Sequence, residues 1–289
     1  MSVERVGVVG CGLMGSGIAE VAAASGATVV VLESTEGALT AGRERIVRSA
    51  ERAMKAGKRP DTYLEELLSR ISFATSFDAL ADRQLVVEAI VEDERAKIEV
   101  FEELDAVVSD PDAILASNTS SIPIMKLAMA TKRPEHVIGI HFFNPVPVMH
   151  LVELVTSLLT SEEVAARAEA FGKEQLSKIV IRSQDRAGFI VNALLIPYLL
   201  SAIRMLESGF ATAEDIDHGM VEGCAHPMGP LALTDLIGLD TTCAVALSLY
   251  DEFKEQLYAP PPLLLRMVEA GLLGRKSGRG FYDYTAGAK

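Results

Sequence analysis

The stretch GCGLMG, residues 10 to 15, limits this chain's fold more than any other feature. Before it stands RVGVV, a short valine-rich run. After it comes SGIAEVAAASG, a small-residue helix that stops at Gly26. ATVVVLE then resumes a β-branched run and ends in Glu33. Strand, glycine turn, helix and a second strand closed by an acid form the βαβ unit that binds a dinucleotide. Gly10 permits the tight turn, Gly12 lets backbone approach a pyrophosphate, and Gly15 lets helix and strand pack closely. Leu13 and Met14 complete the turn and belong with the glycines as cofactor contacts. The helix start offers N–H groups and partial positive charge to the phosphates. Glu33 accepts hydrogen bonds from a ribose 2′-hydroxyl and repels a 2′-phosphate. No arginine among Ser34, Thr35 and Glu36 rescues that phosphate, so NAD is expected as cofactor in preference to NADP.

The α/β alternation continues. Helices are expected over 36–56 (with Arg43, Arg45, Arg48 and Arg52 as a basic stripe), 61–70, 92–109, near 122–131 and over 161–178. Strands are expected at RISFAT, QLVVEAI, AILASN, VIGIHFF, VELVT and KIVIR. Such alternation predicts a Rossmann-type, doubly wound, mostly parallel sheet, with ligand beyond the carboxyl ends of its strands. That rule gathers Glu33, the run Ser117-Asn118-Thr119-Ser120-Ser121, His141 and Asn144. The serine-rich run is also a good helix cap on local grounds alone.

From about residue 185 the rhythm stops. GFIVNALLIPYLLSAIRMLESG reads as a long helix with Pro197 inside it and Gly209 past its end. Thr212 to Asp215 has the character of a capping box. A helix over 234–257, a proline turn at 260–262, a helix over 263–271 and a glycine-rich tail follow. Two domains result: 1–184, dinucleotide-binding, and 185–289, all-α.

Composition narrows the class of partner. A net charge of −13 argues against nucleic acid. Apolar runs break well short of the ~18 residues a membrane span needs. Cys11, Cys224 and Cys243 suit neither a disulfide framework nor a zinc site, which fits a reduced, cytoplasmic setting.

In HFFNPVPVMHLVEL, residues 141 to 154, Pro145 and Pro147 shape a turn between two strands. A hairpin-like return sets His141 beside Glu153. A carboxylate on one ring nitrogen fixes the tautomer and supports the imidazolium, leaving the other nitrogen for general acid/base work. Alcohol oxidation needs that chemistry, since a base must take the hydroxyl proton as hydride leaves carbon. His150 falls on the opposite strand face from Glu153 and is the weaker candidate.

GCGLMGSGIAE, SNTSSI, HFFNPVPVMHLVEL, GFIVNALLIPYL, HPMGPLALTDLIGLDT and GRKSGRGFYDY together resemble the L-3-hydroxyacyl-CoA dehydrogenase family, in order and over nearly the whole chain. Length and layout are similar to bacterial members acting on 3-hydroxybutyryl-CoA. The resemblance implies NAD-dependent interconversion of (S)-3-hydroxyacyl-CoA and 3-oxoacyl-CoA, with short chains (3-hydroxybutyryl-CoA and acetoacetyl-CoA) first. It implies His141 as base, Glu153 as its partner, and Ser120 and Asn192 near the reacting oxygen. Glu33, Glu92, Lys97, Asn118 and Asn144 match cofactor contacts, with Lys276 a looser match. Ala193 departs from the pattern, since many relatives carry Arg after the Asn. The family also implies a homodimer through the helical domain. For an acyl-CoA substrate, Lys55, Lys58 and Arg59 form the best local basic cluster to grip the CoA phosphates, although charge runs are often merely solvated. Two other readings stay open on the residues alone: a dehydrogenase of a free hydroxy acid on the same fold, and a non-catalytic NAD-binding protein.

Overall fold

The computed structural model describes residues 2–285. Eight strands among them form one sheet. β1 (Arg5–Val9), β2 (Thr28–Leu32), β3 (Ile71–Ala74), β4 (Leu85–Glu88), β5 (Ile114–Ser117), β6 (Val137–Phe142), β7 (Leu151–Thr156) and β8 (Ile179–Gln184) lie in the order 3-2-1-4-5-6-7-8. All neighbours pair in parallel except β6 and β7, which are antiparallel. β4 and β5 are buried at every position, as strands covered on both faces must be. β8, at the edge, alternates exposed and covered residues. The expected Rossmann-type sheet is thus observed, with the single reversal supplied by the proline-shaped turn between β6 and β7.

The helices of this half are α1 (Leu13–Ala24), α2 (Glu36–Lys55), α3 (Tyr63–Ser69), α4 (Glu94–Val107), α5 (Ile124–Ala128) and α6 (Glu162–Ala170). Thr35, Asp93 and Ser161 each accept a backbone N–H three residues on and so start α2, α4 and α6. Two helices are shorter than expected. The 161–178 segment leaves α-geometry after Ala170, continues through one wide π-turn to Gln175, and stops before Ser177, whose φ is 54°. Near 122–131 only five residues are helical, and Asp185 accepts the N–H groups of Ile124 (2.9 Å) and Met125 (2.7 Å) at their start. That long-range cap places Asp185 with the sheet. The chain accordingly divides between Arg186 and Ala187, two residues beyond the expected boundary.

The second unit contains α7 (Val191–Glu207), α8 (Ala213–Cys224), α9 (Pro230–Ile237), α10 (Leu239–Phe253) and α11 (Pro262–Glu269). Thr212 caps α8 as its motif predicts. The continuous helix expected over 234–257 is not formed. α9 and α10 meet at 97° on Gly238, whose φ of 102° is open to glycine and disfavoured for other residues. A Cβ there would approach Asp240 Oδ1 and Lys276 Nζ to 3.0 Å each, so the corner also needs the missing side chain. The C-terminal segment folds back on α9. Asp235 accepts the N–H groups of Phe281 and Tyr282, each at 2.9 Å, and the Tyr284 hydroxyl at 3.0 Å. No single helix among the described residues is long and apolar enough to cross a membrane.

Candidate active site

The glycine turn has the strain and spacing its sequence predicts. Gly10 has φ 90°, and a Cβ there would lie 2.7 Å from the Ala89 carbonyl oxygen. A Cβ on Gly15 would overlap the Gly10 oxygen at 1.8 Å, so that glycine is demanded by the helix–strand contact. Gly12 differs: a Cβ there would meet nothing within 4 Å. The protein's own packing does not require that glycine, and the room it leaves lies at the start of α1. No side chain caps that helix and no acid occupies its first turn. Uncapped N–H groups facing open space fit the phosphates of a dinucleotide. Leu13, 66% exposed, and the half-buried Met14 stand at the same helix start.

Glu33, past the end of β2, closes this turn. Its Oε1 accepts the Cys11 N–H at 2.5 Å and its Oε2 the Ser34 N–H at 3.3 Å. Burial and the Glu33 charge push the Cys11 thiol up to about 12 against the pull of Arg45, leaving it an inert packing residue.

At the ends of β4 and β5 an ionic network, buried at Lys97 and Glu88 and open to solvent at Glu92, orders the serine-rich loop. The Lys97 side chain, 1% exposed, donates to Glu88 Oε1 at 2.5 Å and lies 3.3 Å from Glu92 Oε2. Glu88, fully buried, also accepts the Ser117 hydroxyl at 2.6 Å and the Ile90 N–H at 2.7 Å. Glu92 Oε1 collects the Thr119 hydroxyl, the Ser120 and Ser121 N–H groups and the Ser121 hydroxyl. Burial raises the Glu92 carboxyl, but Lys97 and these donors outweigh it and hold it below its ordinary range. Asn118 Oδ1 accepts the Phe142 N–H at 2.9 Å, which ties the loop to the strand bearing His141. The structure therefore assembles Glu92, Lys97, Asn118 and Ser120 at one end of the sheet. Sequence reasoning passes over Glu88; the signal was an acid closing the apolar run LVVE, nine residues before a lysine on a helix.

His141 and Glu153 face each other across the antiparallel pair of β6 and β7. Opposed residues share a face, with Cβ atoms typically ~5 Å apart. The imidazole Nδ1 lies 2.8 Å from Glu153 Oε2, and the side chains are 8% and 0% exposed. With the carboxylate accepting, Nδ1 carries the proton and Nε2 becomes the exchanging nitrogen. Phe143 packs on the imidazole, ring centroids 4.6 Å apart. Asn144 follows, exposed, in the turn between the strands. His150 lies outside β7 and is exposed.

The expected basic tract, Lys55, Lys58 and Arg59, is exposed at and beyond the end of α2, with Arg59 stacked 4.8 Å over the Tyr63 ring. A cavity of 110 Å³ lies nearer the turn. Its wall includes Ser16, Gly17 and Glu20 of α1, Arg45, Arg48, Ser49 and Arg52 of α2, and Asn144 to Pro147. The basic stripe of α2 is visible in the sequence; its convergence on the turn after His141 is not. Burial pushes the Glu20 carboxyl upward, against Ser49, Tyr63, Arg59 and Arg52. In the second unit, Asn192 is the second residue of α7 and Lys276 pairs with Asp240 at 2.5 Å.

A mostly parallel sheet in this order, a ligand-ready glycine turn and a following helical unit define a Rossmann-type dinucleotide-binding protein with a helical C-terminal domain. Known proteins narrow the class. The profile described as "3-hydroxyacyl-CoA dehydrogenase, NAD binding domain" matches residues 5–186, and that of the family's C-terminal domain matches residues 188–284. The chain belongs to the 3-hydroxyacyl-CoA dehydrogenase family, and NAD is its cofactor. It is 62% identical over 283 residues to a 3-hydroxybutyryl-CoA dehydrogenase of Mycobacterium tuberculosis, covering 98% of this chain and 99% of that protein. The crystal structure of M. tuberculosis FadB2 superposes with a TM-score of 0.97 at 61% identity, covering 99% of this chain and 100% of that one. The (S)-3-hydroxybutyryl-CoA dehydrogenase PaaH1 of Ralstonia eutropha gives 0.92 at 44%, covering 98% and 99%.

Proposed function

We propose that the protein interconverts (S)-3-hydroxyacyl-CoA and 3-oxoacyl-CoA, with 3-hydroxybutyryl-CoA and acetoacetyl-CoA as the preferred pair. The observation that carries the reading is the 2.8 Å contact between His141 Nδ1 and the wholly buried Glu153. Glu153 holds one tautomer and balances the imidazolium. His141 Nε2 takes the proton of the C3 hydroxyl during oxidation and returns it to the C3 carbonyl oxygen during reduction. Bound NAD supplies the hydride acceptor, and its reduced form the donor. The Ser120 hydroxyl orients the substrate oxygen. The role of Asn192 rests on the family motif. Glu33 selects NAD over NADP through the ribose hydroxyl. Gly10, Gly12, Leu13, Met14 and Gly15 present backbone to the pyrophosphate, while Asn118 and Asn144 flank the nicotinamide. Glu92 and Lys97 brace the loop, and Lys276 is the looser cofactor contact.

The cations of α2 and its C-terminal end, Lys55, Lys58 and Arg59, grip the CoA phosphates. A second copy covers the apolar side chains that the second unit exposes, among them Leu194 (73%) and Phe210 (78%).

One assay tests the reading. NADH consumption is followed with acetoacetyl-CoA, with free acetoacetate, and with NADPH in place of NADH. Turnover of the thioester with NADH, slower use of NADPH and little reaction of the free acid are expected. Neutralising Lys58 and Arg59 raises the KM for the thioester and leaves that for NADH. Equal turnover of free acetoacetate defeats the CoA reading.

A further inference from the structure

The turn between β6 and β7 is held from two sides by groups with no part in the chemistry above. Internally it is slight: the N–H groups of Val148 and Met149 both reach the Pro145 carbonyl, each at 2.9 Å. Lys178, just before β8, adds an external clamp. Its ammonium donates to the Val146 carbonyl at 2.7 Å and the Met149 carbonyl at 2.6 Å. Partial burial draws this half-buried lysine below its ordinary range. On the other side Val146, 2% exposed, presses on α1 at Gly17, where a Cβ would lie 2.8 Å from Val146 Cβ. Asn144 to Pro147, which line the basic cavity, sit between these holds.

We propose that Lys178 is a positioning residue for the reaction: by fixing two carbonyls of this turn against the cofactor-binding helix, it sets where β6 delivers His141 relative to α1. Building on the functional reading above, the inference adds a residue that reaches no substrate atom. The physical ground is that the catalytic strand ends in the turn. A turn free to shift carries His141 and Asn144 with it, and ~1 Å of misplacement costs up to about 100-fold in rate.

The test compares Lys178→Met, Lys178→Arg and Gly17→Ala with the unaltered protein, well below each melting temperature. Lys178→Met lowers kcat with acetoacetyl-CoA and NADH by about 10- to 100-fold, and Lys178→Arg, which keeps charged donors, restores most of it. Gly17→Ala pushes Val146 from the opposite side and lowers kcat in the same sense with Lys178 intact. An independent readout needs no substrate: the imidazole Nδ1–H signal of ¹⁵N-labelled His141 shifts or broadens in Lys178→Met. Should Lys178→Met fail to fold, Lys178→Gln, a milder change that leaves a neutral donor unable to reach both carbonyls, decides the matter by the same two readouts. A lowered melting temperature with unchanged kcat and an unchanged His141 signal overturns the proposal, leaving Lys178 a structural clamp. If the unaltered protein does not turn over acetoacetyl-CoA, the functional reading fails instead, and the His141 signal still judges the clamp.

Discussion

Glu153 of the first unit and Asp217 of the second are both buried acids, 0% and 7% exposed, with opposite kinds of partner. Glu153 faces an imidazole on the neighbouring strand. Asp217 accepts the N–H groups of Leu231 (2.8 Å) and Ala232 (2.9 Å) at the start of α9, and the Tyr282 hydroxyl at 2.9 Å. Asp235 follows the same plan, with two backbone N–H groups and a tyrosine. Backbone N–H groups do not titrate in the working range, so an acid satisfied by them fixes chain geometry and nothing else. An imidazole can hold a proton or release it, so an acid beside it stabilises one of two states. The same cost of burying a carboxylate is met at Asp217 by architecture and at Glu153 by a group able to do chemistry.

The sharpest way to break the comparison is His141→Gln. Glutamine retains an N–H for the buried carboxylate but cannot relay a proton. General acid/base catalysis contributes about 10²–10⁴-fold, so kcat with acetoacetyl-CoA should fall by that order while NADH binding, read by fluorescence, stays within about two-fold of its starting value. Retention of more than about a tenth of kcat would remove His141 from the relay.

Asp217→Asn probes the other side and should invert the pattern. The amide keeps one acceptor oxygen and sets an NH₂ against donors, so one partner is lost in a buried site. A cost of about 1–3 kcal/mol follows, or a melting-temperature drop of ~5–15 °C for a unit near a hundred residues. Catalytic turnover below the transition should be unchanged. A large fall in kcat at constant melting temperature would mean that Asp217 serves more than architecture.

The same contrast explains which parts of the molecule are legible in the sequence. His141 and Glu153 are found because two strands joined by a short proline turn leave few ways to pair, and that register sets them opposite. The glycine turn is legible because Gly10 and Gly15 meet local demands of backbone and packing, while Gly12 leaves the room a ligand needs. What escapes reading is set by contacts between distant segments. LTDLIGLDTTCAVALSLY reads as one helix, since a glycine within an apolar run is tolerated. The corner at Gly238 follows from the C-terminal segment docking on Asp235, where Gly274 approaches so closely that a Cβ would lie 2.3 Å from the Asp235 carbonyl oxygen. Glu88 with Lys97, and Lys178 with the Val146 and Met149 carbonyls, are likewise invisible until the strands are assembled. The arginines of α2 read as a stripe, while the cavity they line needs the turn from residues 144–147.

Glu20 sharpens the comparison at its smallest scale, as a third kind of buried acid. It is 2% exposed and bonded by the Tyr63 hydroxyl at 3.3 Å, with neither a helix start nor an imidazole to answer it. Burial dominates and its carboxyl is raised above its ordinary 4.5. The sign follows from linkage: the folded state binds this proton more tightly than the unfolded chain does, so folding weakens as pH rises from about 4.5 through the raised value. Below that window both states are protonated and nothing is lost. Glu20→Gln removes the titration, so it should be neutral in stability in acid and stabilising at neutral pH. The gain shows as a melting temperature raised at neutral pH and unchanged in acid. Melting curves at several pH values check it. A Gln variant less stable at neutral pH than in acid, relative to the unaltered chain, would show that the arginines lining the cavity already hold Glu20 as an anion, and would move it into the class to which Glu88 belongs.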